Sequence, residues 1–128
     1  MRVLVLSNGE WMEKDIDNAL DALQGIVGGY IEMPYFGNVF MENGIDVIIN
    51  EEGKFIDGLR PEIVVIRKET NQLLDIVYGN CVFASHDNDG NTSALSVEQE
   101  LIVLDEFMDD VVLTDSNGKE FVAKVLYV

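Results

Sequence analysis

The apolar residues of this chain come in short, branched blocks, among them Val3-Leu4-Val5-Leu6, Val47-Ile48-Ile49 and Ile63-Val64-Val65-Ile66, with turn-forming sequences between them. Blocks this short fall far below the ~20 apolar residues that cross a bilayer. They fit strands buried in a sheet, although length alone does not separate a strand from a buried turn of helix. At 128 residues the chain is the size of one domain and can hide roughly two-thirds of its unfolded surface. With 48% apolar and 25% charged residues it belongs with globular rather than disordered chains.

Taken in order, residues 1–6 read as a buried strand ending at the turn Ser7-Asn8-Gly9, and residues 10–16 as either a short return strand or a loop. Asn18 has the side chain of an N-cap and Asp21 suits the positive end of the dipole. Together they predict a helix over residues 19–27 with Leu20, Leu23, Ile26 and Val27 on its packed face. Gly28 stands at the left-handed C-cap, and Gly29 releases the chain into a strand in which Tyr30 and Glu32 oppose Ile31 and Met33. Two apolar segments, 38–41 and 45–50, flank Glu42-Asn43-Gly44, whose Asn-Gly pair predicts a hairpin turn. Residues 61–74 contain either a strand over 63–66 or a helix, and residues 76–84 predict one strand with a bulge at Gly79.

Asp87-Asn88-Asp89-Gly90-Asn91 resembles half of a calcium loop, but its twelfth position is Ser96 and the chelating carboxylate is missing, so it reads as a hairpin loop. Ser96-Val97-Glu98-Gln99 is a capping box opening a second helix, with Val97, Leu101, Leu104 and Met108 expected inward. Residues 111–114, the turn 115–118 and residues 120–128 predict a C-terminal β-hairpin. The fold class is α+β, a single domain with a mostly antiparallel sheet, two or three helices on one face and that hairpin; residues 1–105 form the body and 106–128 pack on it.

Gly25, Gly28 and Gly29 invite comparison with phosphate loops, yet those loops precede a helix, where free amides and the positive dipole end face the anion. Here a helix ends in carbonyls, which leaves capping and close packing as the leading reading and a small amide nest as the remaining way to hold an anion. Cys81 is the only cysteine and lies in an apolar run, so a buried thiol is expected. His86 is the only histidine and has no partner that the sequence ties to it. Adjacent carboxylates such as Glu51-Glu52, Asp105-Glu106 and Asp109-Asp110 diverge in any regular element and do not form an acid–base pair. No catalytic residue, metal cluster or cofactor is expected, and neither a leader nor a membrane span is read, which points to the cytoplasm.

The formal charge of −16 argues against gripping a nucleic-acid backbone, which needs lysines and arginines. Between Lys68 and Lys119 stand eleven carboxylates and no lysine or arginine, while Lys54, Arg60, Arg67 and Lys68 form the one cationic interval.

Leu23-Gln24, Val27-Gly28-Gly29-Tyr30-Ile31-Glu32, Asn50-Glu51-Glu52-Gly53-Lys54, Gly79-Asn80, and Gly90 ahead of Ser93-Ala94-Leu95-Ser96 follow one another over residues 1–105. In these motifs the chain resembles the family described as domain of unknown function 3846, with the C-terminal hairpin as an addition. It departs after Gly58-Leu59, where the family tends to carry asparagine and a small residue and this chain has Arg60-Pro61-Glu62-Ile63. The resemblance implies a small protein carried by phages, prophages and plasmids, with no established enzymatic activity.

Two functions follow as expectations. One is sequestration of a small anionic, nucleotide-type ligand by Gln24, Gly28, Gly29, Tyr30, Glu32, Asn50 and Glu51, with a cation from Arg60 or Arg67. The other is an acidic interaction protein that inhibits a basic, DNA-handling host protein by charge imitation. Self-association is left open.

Overall fold

The first strand, β1 (Arg2–Ser7), turns back through Asn8 and Gly9, whose φ values of 53° and 76° are the paired left-handed conformations of a two-residue hairpin. The return strand β2 (Glu10–Asp15) pairs antiparallel along its whole length, Ser7 opposite Glu10 and Arg2 opposite Asp15. In this computed structural model, which describes residues 1–128, the chain continues as α1 (Leu20–Val27), β3 (Ile31–Glu32), α2 (Asn38–Glu42), β4 (Ile45–Asn50) and a 3-10 turn (Gly53–Phe55). There follow β5 (Pro61–Ile66), β6 (Leu73–Tyr78), β7 (Cys81–His86), β8 (Thr92–Ser93), α3 (Val97–Glu106), β9 (Asp109–Thr114) and β10 (Glu120–Tyr127).

The strands form two sheets. The first is antiparallel, in the order β2-β1-β7-β4-β3 with β8 paired to β7; the second runs β6-β5-β10-β9, and its β5–β10 ladder is parallel. The α+β class and the C-terminal hairpin stand as read from the sequence, but β10 does not lie on the body as an addition. It sits between β5 and β9, with Val125 opposite Val64 on one side and Asp109 on the other.

Alternation along β1, β4 and β7 gives the first sheet two buried faces. Val3, Val5, Ile48, Val82 and Ala84 face α1, which contributes Leu23 and Val27. Leu4, Leu6, Val47, Cys81 and Phe83 face the second sheet and the other two helices, meeting Ile63, Val65, Val77, Leu126, Phe40, Val103 and Phe107. The helices therefore divide, one on one face and two on the other. At the centre of the larger core Trp11, Phe40, Phe83 and Phe107 meet in tilted, edge-on and, for Phe40 with Phe107, stacked pairs, with ring centroids 5.4–6.1 Å apart. No helix is long and apolar enough to cross a membrane.

Several local expectations change. Residues 38–42 are helical, so Asn43-Gly44 ends a helix instead of closing a hairpin; Phe40 enters the aromatic cluster and the Asn43 side chain donates to the Val39 carbonyl at 2.7 Å. Asn18 does not cap α1: the N-cap is Ala19, and Asn18 donates instead to the Thr92 carbonyl, while Leu20 points into solvent. Residues 76–84 are two strands in different sheets, parted at Gly79-Asn80 where φ of Gly79 is 87°. Residues 61–66 are a strand and residues 73–78 its hairpin partner. The Asp87 loop is a hairpin connection; its carboxylate accepts the Asn91 and Asp89 amides at 2.9 Å, bonds that hold it below the ordinary carboxylate range.

α3 begins at the capping box, with Ser96 and Gln99 bonded reciprocally at 2.9 and 3.1 Å, but its orientation is rotated from expectation. Val103 and Phe107 are buried, whereas Val97, Leu101 and Met108 are exposed. Phe107→Ala should therefore lower the unfolding free energy by about 3–5 kcal/mol in urea titrations, while Met108→Ala should stay within about 0.5 kcal/mol. The reverse ranking would restore the orientation expected from the sequence.

Candidate functional site

The last carbonyls of a helix have no partner within it and need one from outside. At the end of α1 the Gln24 carbonyl accepts from the amides of Gly28 (2.8 Å) and Gly29 (3.1 Å), a left-handed closure that Gly28 makes at φ 84°. The Ile26 carbonyl accepts from the Asn80 side chain and the Val27 carbonyl from that of Asn50, both at 3.0 Å. Asn50 is buried, and its oxygen accepts from the Glu52 amide at 2.8 Å. A Cβ on Gly29 would stand 3.0 Å from the Asn50 amide nitrogen, and one on Gly53 would stand 2.6 Å from the Tyr78 carbonyl. These glycines let one part of the backbone approach another part of the same protein.

The residues expected around that stretch do not meet as a group. Glu32, Asn50 and Glu51 border a groove of about 290 Å3 with Lys54, Phe55 and Asp75, but Tyr30 is not on its wall and is 71% exposed. The cation in that groove, Lys54, is paired with Asp75, so the surroundings favour no anion. Gln24, half-buried on α1, gives its backbone carbonyl to the cap.

Arg60 stands elsewhere, at the joint between the two sheets. Its Nε lies 3.4 Å from the buried Glu62 carboxylate, a guanidinium N–H donates to the Val122 carbonyl, and the group lies over the Phe121 ring. Glu62 in turn accepts the Asn8 amide at 2.9 Å and the Gly9 amide at 2.8 Å, so a strand of the second sheet holds the β1–β2 turn of the first. Burial pushes the Glu62 carboxyl up, against the lowering pull of the Gly9 amide and Arg60. The neighbouring Cys81 thiol is pushed far up by burial and then by Glu62, which leaves it unreactive near neutrality. His86 pairs with Asp46 at 3.1 Å on the surface, and no group of three His, Cys, Asp or Glu side chains is placed to hold a metal ion.

Arg67 opens onto a different space, a cavity of about 520 Å3 between residues 34–40 and the ends of β5 and β10. Lys68, Tyr35, Tyr127, Val39 and Leu74 line it too. Ion pairs engage Arg2, Lys54, Arg60 and Lys124, whereas Lys14, Arg67, Lys68 and Lys119 enter none, and of these Arg67 and Lys68 border the cavity. Their backbones are fixed, Arg67 N–H to the Gln72 carbonyl and Lys68 N–H to the Val128 carbonyl, each at 2.8 Å. Two consecutive cations are thus carried at a firm strand end beside two aromatic side chains. Asp75 and Glu106 also border the cavity, and Asp75 is occupied by Lys54. The sequence signal for this place was the short basic interval that holds Arg67 and Lys68; Tyr35 and Tyr127, far from it along the chain, carried no signal of their own.

A model of the family described as domain of unknown function (DUF3846) matches residues 1–112, and the chain belongs to that family. No curated protein and no solved structure matches it. The match ends within β9 and takes in Gly28, Gly29, Asn50 and Asn80, the residues that build the α1 clasp.

Asn50→Ala removes a bond to a helix carbonyl and one to the Glu52 amide, and should cost about 1–3 kcal/mol in urea unfolding. For Glu62→Gln the pH dependence is the informative quantity. A folded-state pKa above the ordinary value means that the folded protein keeps a proton the unfolded chain has released, so that stabilisation is present at low pH and lost as pH rises. The stability of the wild type minus that of the variant should fall as pH rises through and above the ordinary carboxylate range; a rise would show that Glu62 is held ionised.

Proposed function

We propose that this member of the family binds and sequesters a small anionic ligand of nucleotide type in the cavity where Arg67 and Lys68 emerge. The observation that carries the reading is their lack of any ion pair in a chain of net charge −16, where carboxylates outnumber basic residues 24 to 8. Cations left free amid such an excess of acid are available to a phosphate, and a cavity of about 520 Å3 falls within the range of small-molecule sites. Tyr35 and Tyr127 offer aromatic faces on which a base can stack. The lining provides groups for holding a ligand and no nucleophile with an adjacent base, so capture is favoured over turnover. Carriage on mobile elements, which the family resemblance implies, makes a host nucleotide signal the expected cargo and counter-defence the expected benefit.

Thermal-shift and calorimetric titration with mononucleotides, cyclic dinucleotides and cyclic oligonucleotides tests this. At least one should stabilise the protein saturably. Arg67→Ala with Lys68→Ala should weaken that ligand about 10- to 100-fold through loss of charge-assisted bonds, and Tyr30→Ala should leave it unchanged. No stabilisation by any of them contradicts the proposal, and loss in Tyr30→Ala with retention in the cation variants would return the site to the glycine-rich stretch.

A further inference from the structure

α3 shows two apolar stripes, and the core uses one. Val103 and Phe107 face inward, with Ile102 and Leu104 half-buried beside them. On the outer side Val97 and Leu101 stand four residues apart on one helix face, exposed by 59% and 61%, and Met108, 76% exposed, follows just beyond the helix end. Glu98 and Asp105 stand on the same outer side, and Asp109 follows Met108, all exposed. Arg2 is tied to Glu13 and Glu100, and Lys124 to Asp110, so no basic side chain of this region is left to neutralise that border. Large apolar side chains aligned along a helix and edged by free carboxylates have the composition of a helix-docking seam, apolar centre and charged rim.

We propose that the outer face of α3 docks a basic amphipathic helix of a partner protein. Its apolar side packs on Val97, Leu101 and Met108, and its lysines or arginines meet Glu98, Asp105 and Asp109. Charge chooses this occupant. A second copy of the chain would set the same carboxylates against one another, each copy carrying −16, and an anionic lipid surface would be repelled for the same reason. A ten-residue helix spans about 15 Å, enough for two to three turns of a partner. The seam is independent of the Arg67–Lys68 cavity.

The test uses a synthetic helical peptide of leucine and lysine in amphipathic order, and a scrambled peptide of the same composition, each followed by fluorescence anisotropy with the full chain. The ordered peptide should bind at least about tenfold tighter than the scrambled one, since a buried leucine is worth roughly a factor of ten or more. Leu101→Ser and, separately, Val97→Ser should each remove most of that preference while the thermal midpoint stays near the wild type. Glu98→Gln with Asp105→Asn should weaken binding and flatten its salt dependence. Arg67→Ala should change nothing here, which keeps this result separate from the ligand titration. Equal affinity for the two peptides, or an unchanged preference in both serine variants, overturns the proposal. Self-association that sedimentation detects and Leu101→Ser abolishes overturns it as well, by making a second copy the occupant.

Discussion

The carbonyl end of α1 lies against the sheet that the helix covers, and its partners are side chains from that sheet and the turn beside it. Asn50 closes β4 and Asn80 precedes β7, so the two central strands grip the helix from below through the Val27 and Ile26 carbonyls. Gly29 leaves room for the Asn50 amide, and Gly28 makes the left-handed turn that carries the chain away. The same asparagine fixes the Glu52 amide, after which Gly53 passes under the Tyr78 carbonyl and the chain crosses to the second sheet. One set of polar contacts thus determines where the helix stops, how β3 joins β4, and where the path leaves the first sheet.

A second polar contact does similar work at the opposite corner. The left-handed pair Asn8 and Gly9 directs two amides at a buried carboxylate, and Glu62 sits on β5, in the other sheet. Arg60 stands over that carboxylate and reaches β10 through the Val122 carbonyl. Arg60-Pro61-Glu62 is therefore an inter-sheet joint. Between the two corners, the four-ring cluster fills the space where β2, β7, α2 and α3 converge.

What the sequence made legible was local. The turn at Asn8-Gly9, the hairpin turn at Asn117-Gly118, the left-handed cap at Gly28 and the capping box at Ser96 all depend on a few adjacent residues, and each formed as expected, while the hairpin that the first turn closes was one of two readings left open. Elements decided by distant partners were not legible. Asn43-Gly44 suits the end of a helix as well as a hairpin, and only Phe83 and Phe107, far along the chain, draw Phe40 inward on a helix. α3 offers two apolar stripes, and the aromatic cluster selects the one bearing Phe107. The same limit applied to the site. A glycine needed for close approach looks alike in sequence whether a ligand or Asn50 approaches it, and the freedom of Arg67 and Lys68 from ion pairs exists only once the carboxylates are placed in space.

The glycine-rich motif thus builds the fold, while the surfaces proposed to meet other molecules lie elsewhere, in the cationic cavity beside Tyr35 and Tyr127 and on the outer side of α3. The central claim is that the glycine-rich turn is bound into the global structure by the sheet beneath it. Native-state hydrogen exchange of the Gly28 and Gly29 amides measures this directly. If the clasp holds as described, both amides exchange only with global unfolding, at the opening free energy found for Ile48 and Val82 in the central strands. Rapid exchange of Gly28 and Gly29 while those strands stay protected would show a turn that opens by itself, and would contradict the claim.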